Sequence, residues 1–81
     1  MNWFVYILSC RDGSLYTGIT TDCVRRLAQH NAGNGAKYTR AKLPVQLVYQ
    51  ERAENRSQAT KREMAIKKLT RQQKQRLVAG H

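Results

Sequence analysis

Trp3-Phe4-Val5-Tyr6-Ile7-Leu8 is an unbroken run of aromatic and mostly β-branched residues, the composition of a strand. After Arg11-Asp12-Gly13, the run Leu15-Tyr16-Thr17-Gly18-Ile19-Thr20 reads as a second strand, so the two form a β-hairpin. A two-residue loop at Asp12-Gly13 would send Tyr6 and Tyr16 to opposite faces of the sheet. A three-residue loop, a type I turn with Gly13 in the left-handed conformation, pairs Cys10 with Ser14, Leu8 with Tyr16 and Tyr6 with Gly18. Tyr6, Tyr16 and Gly18 then share one face, and Val5, Ile7, Leu15 and Ile19 cover the other. The second register separates phenols from aliphatic side chains and is the one expected.

Asp22 is a suitable N-cap for a helix over about residues 23–32, stopped by Gly33-Asn34-Gly35. Spacing assigns Val24, Leu27, Ala28 and Asn31 to its buried stripe, and Arg26 with His30, four residues apart, to the opposite solvated flank. A polar loop from Asn34 to Lys42 carries Lys37-Tyr38-Thr39-Arg40. Pro44 can open a third strand over Val45–Gln50, in which Val45, Leu47 and Tyr49 alternate. A second helix follows over about 57–69 with Ala59, Ile66 and Leu69 inward, and Thr70-Arg71-Gln72-Gln73 fits a capping box for a third. The order strand, strand, helix, strand, helix, helix implies an α+β fold. A three-stranded mixed or antiparallel β-sheet flanked by three helices is its natural arrangement, in one domain spanning residues 1–81.

Charge sharpens this picture. The 81 residues carry a net charge of +10, and it is regional: −1 through residue 24 and +11 from residue 25 onward. One basic face presented to a polyanion follows, with nucleic acid the expected partner; no strong apolar face accompanies the bases, as a membrane surface would require. The sequence has no apolar run of membrane-spanning length and no signal-peptide layout. Cys10 and Cys23 are too few for a disulfide scaffold and lack zinc-site spacing, so they read as small apolar fillers in a reduced, cytoplasmic protein.

Several residues could carry chemistry. Between Arg56 and Arg76 stand eight bases and a single acid, Glu63, on the stripe of Ala59 and Ile66. A carboxylate there either pairs with Arg62, Lys67 or another base, or ligates a hard cation; Mg²⁺ needs only one or two carboxylates. Tyr6 and Tyr16 are packing residues on the usual reading of a hairpin pair, but Gly18 beside them marks close approach of backbone or ligand. His30 is either part of a solvated helix face or a proton-transfer group. Lys37, Tyr38 and Arg40 combine bases with an aromatic ring, which suits phosphate contact and base stacking as well as a surface loop.

Phe4-Val5-Tyr6, the Tyr ten residues later in Tyr16-Thr17-Gly18, then Asp22, Arg26, His30 and a late Glu63, resemble the GIY-YIG nuclease domain. The likeness covers essentially the whole chain. It is greatest to the small stand-alone bacterial YhbQ-type branch, through Leu-Tyr-Thr-Gly-Ile-Thr-Thr-Asp, Gly-Ala-Lys and Ile-Lys-Lys-Leu-Thr. Two departures stand out: Phe4 replaces the first motif glycine, and no asparagine follows Glu63. The resemblance implies divalent-metal-dependent cleavage (Mg²⁺ or Mn²⁺) of a nucleic-acid phosphodiester, with DNA favoured over RNA and low sequence specificity, as in repair or processing. It makes Tyr6 and Tyr16 the two motif tyrosines, one of which helps activate the attacking water, and assigns Arg26 to the scissile phosphate, Glu63 to the metal and His30 to proton acceptance. Lys37, Tyr38, Arg40, Lys67 and Lys68 are the expected nucleic-acid contacts. The alternative is a non-catalytic basic DNA- or RNA-binding module on the same fold. The nuclease reading expects Tyr6, Tyr16, Arg26 and Glu63 to converge on one shallow pocket.

Overall fold

The computed structural model describes residues 2–80. Along the chain strands β1 (Trp3–Ser9) and β2 (Leu15–Thr20) are followed by helices α1 (Cys23–Asn31) and α2 (Lys37–Arg40), then strand β3 (Gln46–Ala53), then helices α3 (Arg56–Lys67) and α4 (Arg71–Ala79). The sheet is wholly antiparallel, in the order β2-β1-β3, so the most apolar strand lies in the middle. The hairpin has the three-residue turn: Tyr6 pairs with Gly18 and Leu8 with Tyr16, the Cys10 N–H donates to Ser14 O at 2.8 Å, and Gly13 has a φ of +85°.

The sheet separates two apolar clusters. On one face Val5, Ile7 and Tyr49 pack with Ala59 and Ile66 of α3, and Leu15, Ile19, Leu69, Leu77 and Val78 surround them. On the other, Tyr6, Leu8, Cys10, Cys23 and Val45 are buried with Tyr16, Leu27 and Leu47 against them. The strict alternation expected for β3 breaks at a register shift, because Ile7 pairs with Tyr49 but Leu8 pairs with Leu47. The extra residue, Val48, turns Tyr49 to the α3 face while Val45 and Leu47 stay on the α1 face. β3 also runs three residues further than expected.

All three longer helices start on side-chain caps. Asp22 accepts from Arg25 N at 3.0 Å, Asn55 from Gln58 N at 2.9 Å, and Thr70 with Gln73 forms the capping box. The α4 N-terminus is also tied to the hairpin, where the Arg71 guanidinium donates to Gly13 O at 2.9 Å. No helix among the described residues is long and apolar enough to cross a membrane.

The inward stripe of α1 lies one residue away from the expected one. Val24 is 78% exposed and Ala28 is exposed, while Cys23 and His30 are buried and Leu27 is partly so. A stripe counted from apolar residues alone favoured Val24 and set His30 on a solvated flank. Hydrogen-bond partners waiting on β1 and α2 turn the helix so that its imidazole goes inside. The expected polar loop from Asn34 to Lys42 contains one helical turn, α2, whose Thr39 is completely buried.

Candidate active site

Two glycines make room for the site. A Cβ at Gly18 would lie 2.5 Å from Tyr6 Oη and 2.7 Å from Cζ, so the bare backbone of β2 lets the phenol lie across it. A Cβ at Gly35 would lie 2.2 Å from His30 Nδ1 and 2.8 Å from its Cα, so the chain after α1 can close over the imidazole only as glycine. Gly33, with a φ of +84°, already supplies the left-handed turn that ends α1.

His30 is fully buried and hydrogen-bonded at both ring nitrogens: Nε2 lies 2.9 Å from Tyr6 Oη, and Nδ1 lies 2.8 Å from Thr39 Oγ1. Thr39 Oγ1 also donates to Ala36 O at 3.0 Å. Burial first, then the nearby Arg26 charge, holds the His30 pKa below its ordinary value, so the ring is neutral at neutral pH. Burial pushes the Tyr6 phenol up, with the adjacent Arg26 guanidinium working against it. Arg26, half-buried on α1, is held in place by donation to Gln29 Oε1 at 3.0 Å.

Tyr16 gathers the rings. Its centroid lies 6.4 Å from Tyr6, 5.4 Å from His30 and 6.0 Å from Tyr38, on which it stacks at 24°. The Lys42 ammonium sits 3.9 Å from the Tyr38 centroid and 3.2 Å from Asp12, whose carboxyl falls to about 2, mainly through hydrogen bonds from Ser14. Hydrogen bonding to Lys42, then Ser14, lowers the Tyr38 phenol. Tyr38 is thus stacked on Tyr16 and in contact with Lys42, and is 46% exposed; Lys37 and Arg40 on either side of the turn are exposed.

Tyr6, Tyr16, Arg26 and His30 therefore meet on the α1 face of the sheet. Glu63 belongs to α3, whose Ala59 and Ile66 pack on the opposite face, and its ion pair is with Lys67 at 3.5 Å. α3 lies against all three strands of the sheet, so the sheet stands between that helix and the ring cluster. Lys67 and Lys68 are exposed at the end of α3. Three residues of the ring face escaped the sequence reading: Gly35, Thr39 and Lys42. Gly35 had left a trace, since a second glycine is superfluous once Gly33 has ended the helix. Thr39 had left none, being a hydroxyl inside a basic, aromatic stretch.

The GIY-YIG catalytic domain matches residues 2–76. The chain belongs to the GIY-YIG family. Domains of this family are generally nuclease domains that act on nucleic acid and typically use divalent metal. A UPF0213 protein of Desulfotalea psychrophila is 56% identical over 77 residues, covering 94% of this chain and 70% of its own. One of Natronomonas pharaonis is 57% identical over 76 residues, covering 94% of this chain and 89% of its own. The solution NMR structure of a UPF0213 protein from Bacillus halodurans is 47% identical, with a TM-score of 0.62 over 98% of this chain and 84% of that one. That of an E. faecalis protein is 49% identical, with a TM-score of 0.66 over 99% and 85%. None of these names states an activity. The GIY-YIG assignment accords with the antiparallel three-stranded sheet and its flanking helices.

Among the described residues no cluster of three His, Cys, Asp or Glu side chains forms a cage for a metal. One observation suits a hard cation that keeps most of its waters: Glu63 is a carboxylate whose side chain is 19% exposed, in an ion pair whose partner Lys67 is 52% exposed. One carboxylate, waters and a substrate phosphate are a sufficient Mg²⁺ set, so Glu63 fits an ion that arrives with its substrate.

Proposed function

We propose that this chain is an endonuclease hydrolysing nucleic-acid phosphodiesters, with DNA favoured over RNA and low sequence specificity, in repair or processing. The supporting observation is the 2.9 Å hydrogen bond from Tyr6 to a buried neutral His30, with the Arg26 guanidinium beside the phenol. A phenol with a raised pKa is a poor base by itself. Tyr6 works instead by taking a proton from the attacking water as it hands its own to His30 Nε2. His30 is completely enclosed and so acts through Tyr6 rather than on the water. Arg26 faces the charge that gathers on the phosphoryl oxygens. Tyr16 holds the Tyr6 and His30 rings in place. Glu63, on α3, would hold Mg²⁺ or Mn²⁺, and the bound ion would add positive charge at the phosphate.

Lys37, Arg40, Lys67 and Lys68 contact phosphates, and Tyr38 borders the path of the strand; contacts of this kind position without reading sequence. Free thiols at Cys10 and Cys23 suit the reducing cytoplasm. The test is plasmid nicking with added Mg²⁺ or Mn²⁺ by the wild type, Tyr6→Phe and Glu63→Ala. Nicking that both substitutions abolish supports the assignment, and nicking that survives them belongs to a contaminant. A second reading rests on the placement of Glu63, which is paired with Lys67 on a helix of the opposite face. It makes the chain a binding module that kept the fold and lost turnover. Salt-sensitive binding without cleavage under any divalent metal would select it.

A further inference from the structure

We infer that Thr39 is a positioning residue whose hydroxyl fixes the His30 tautomer, obliging Tyr6 to donate its proton to His30 rather than accept one. Ala36 O carries no hydrogen, so the single hydroxyl hydrogen of Thr39 is committed to it across 3.0 Å. Toward His30 the same oxygen can only accept, so Nδ1, 2.8 Å away, bears the imidazole hydrogen. In the neutral ring Nε2 is then a bare lone pair, and across 2.9 Å the Tyr6 O–H is the donor.

The surroundings lock this arrangement. Thr39 and His30 are both fully buried, so water cannot substitute for either partner. Gly35 packs against the imidazole at distances no side chain would allow, which holds the Gly35–Thr39 segment over His30. Ala36 O also accepts from the amides of Thr39 and Arg40, each at 3.2 Å, so the α2 turn holds that carbonyl in place beside the hydroxyl. The turn that presents Lys37 and Arg40 to solvent therefore carries, on its inner side, the group that sets the proton direction at Tyr6.

The catalytic consequence rests on the nuclease reading, whereas the tautomer does not, and the experiment separates them. The full chain labelled with ¹⁵N-histidine is examined by long-range ¹H–¹⁵N correlation at neutral pH. His30 is expected to show a pyrrole-type Nδ1 and a pyridine-type Nε2. Thr39→Val removes the acceptor and should shift His30 toward the Nε2–H form, while Thr39→Ser should retain the wild-type pattern. A wild-type His30 with its hydrogen on Nε2 overturns the inference without any variant. So does a folded Thr39→Val protein whose tautomer is unchanged. In nicking assays Thr39→Val should lower kcat roughly 10- to 100-fold with little change in KM, and Thr39→Ser should restore it. A flipped tautomer with full cleavage overturns the positioning role. An Nδ1–H tautomer in a wild type that cleaves nothing leaves the tautomer assignment standing and removes the nuclease reading.

Discussion

On the α3 side of the sheet, Val5, Ile7, Ala59 and Ile66 are completely buried and bring no side-chain polar atom with them. On the α1 side, Tyr6, His30 and Thr39 are buried beside Leu8 and Val45, and each polar group has its partner. Burying a chain of polar groups stabilises far less than burying hydrocarbon and is tolerable only when every donor and acceptor is matched. The α3 face accordingly holds the fold together, while the α1 face holds a phenol, an imidazole and a guanidinium in a fixed relation. Substitutions on the two faces should separate stability from turnover.

The widest separation is expected between Tyr6→Phe and Ile66→Ala. The first should lower cleavage by roughly 10²- to 10⁴-fold, the usual contribution of a positioned proton-transfer group. The second should destabilise by about 2–5 kcal/mol in chemical denaturation, with cleavage per folded molecule preserved. Equal losses of both kinds from both variants would dissolve the distinction. Gly18→Ala tests the junction of the two faces, because its methyl would meet the Tyr6 ring. Displacing that ring should cost roughly 1–3 kcal/mol and turnover together.

Acidification sharpens the same contrast. His30 titrates below its ordinary 6.5 in the folded chain, so the unfolded chain binds its proton first as pH falls. Its contribution to stability is complete above 6.5 and is lost progressively below it, at up to about 1.4 kcal/mol per pH unit. His30→Gln should flatten that part of a stability-against-pH curve measured by thermal or chemical unfolding; an unchanged slope would assign it to other groups. The smallest effect is expected at the surface. Lys67→Ala breaks the 3.5 Å pair with Glu63 and should change stability by only about 0.3–0.5 kcal/mol. If Lys67 contacts a duplex phosphate, the same change reduces the slope of log affinity against log salt by about 0.9.

The hairpin, its register and the α3 stripe were legible because apolar alternation and a Gly-containing turn determine them locally. The α1 stripe was misread because the helix is oriented by hydrogen bonds to Tyr6 and Thr39, distant in sequence and invisible to a hydrophobic count. Tyr6, Tyr16, Arg26 and His30 could be named together only through the resemblance to the GIY-YIG domain, because spacing alone left Arg26 and His30 on a solvated flank. That His30 is enclosed and bonded to Tyr6 required the tertiary contacts. Thr39 has no pattern of its own, since one helical turn is too short for periodicity. The shift at Val48 in β3 was equally hidden, because a single extra residue leaves the composition of a strand unchanged.

Asn31, the last residue of α1, accepts from Val45 N at 2.8 Å and donates to Val45 O at 3.0 Å. Its carboxamide thus imitates a neighbouring peptide unit and docks onto the chain just ahead of β3 as another strand would. A lone side chain thereby welds the helix bearing Arg26 and His30 to the sheet's far margin, opposite the hairpin. Sliding that helix along the rings would tear both bonds at once, which makes the guanidinium's distance from the phenol a property of the scaffold instead of the ligand.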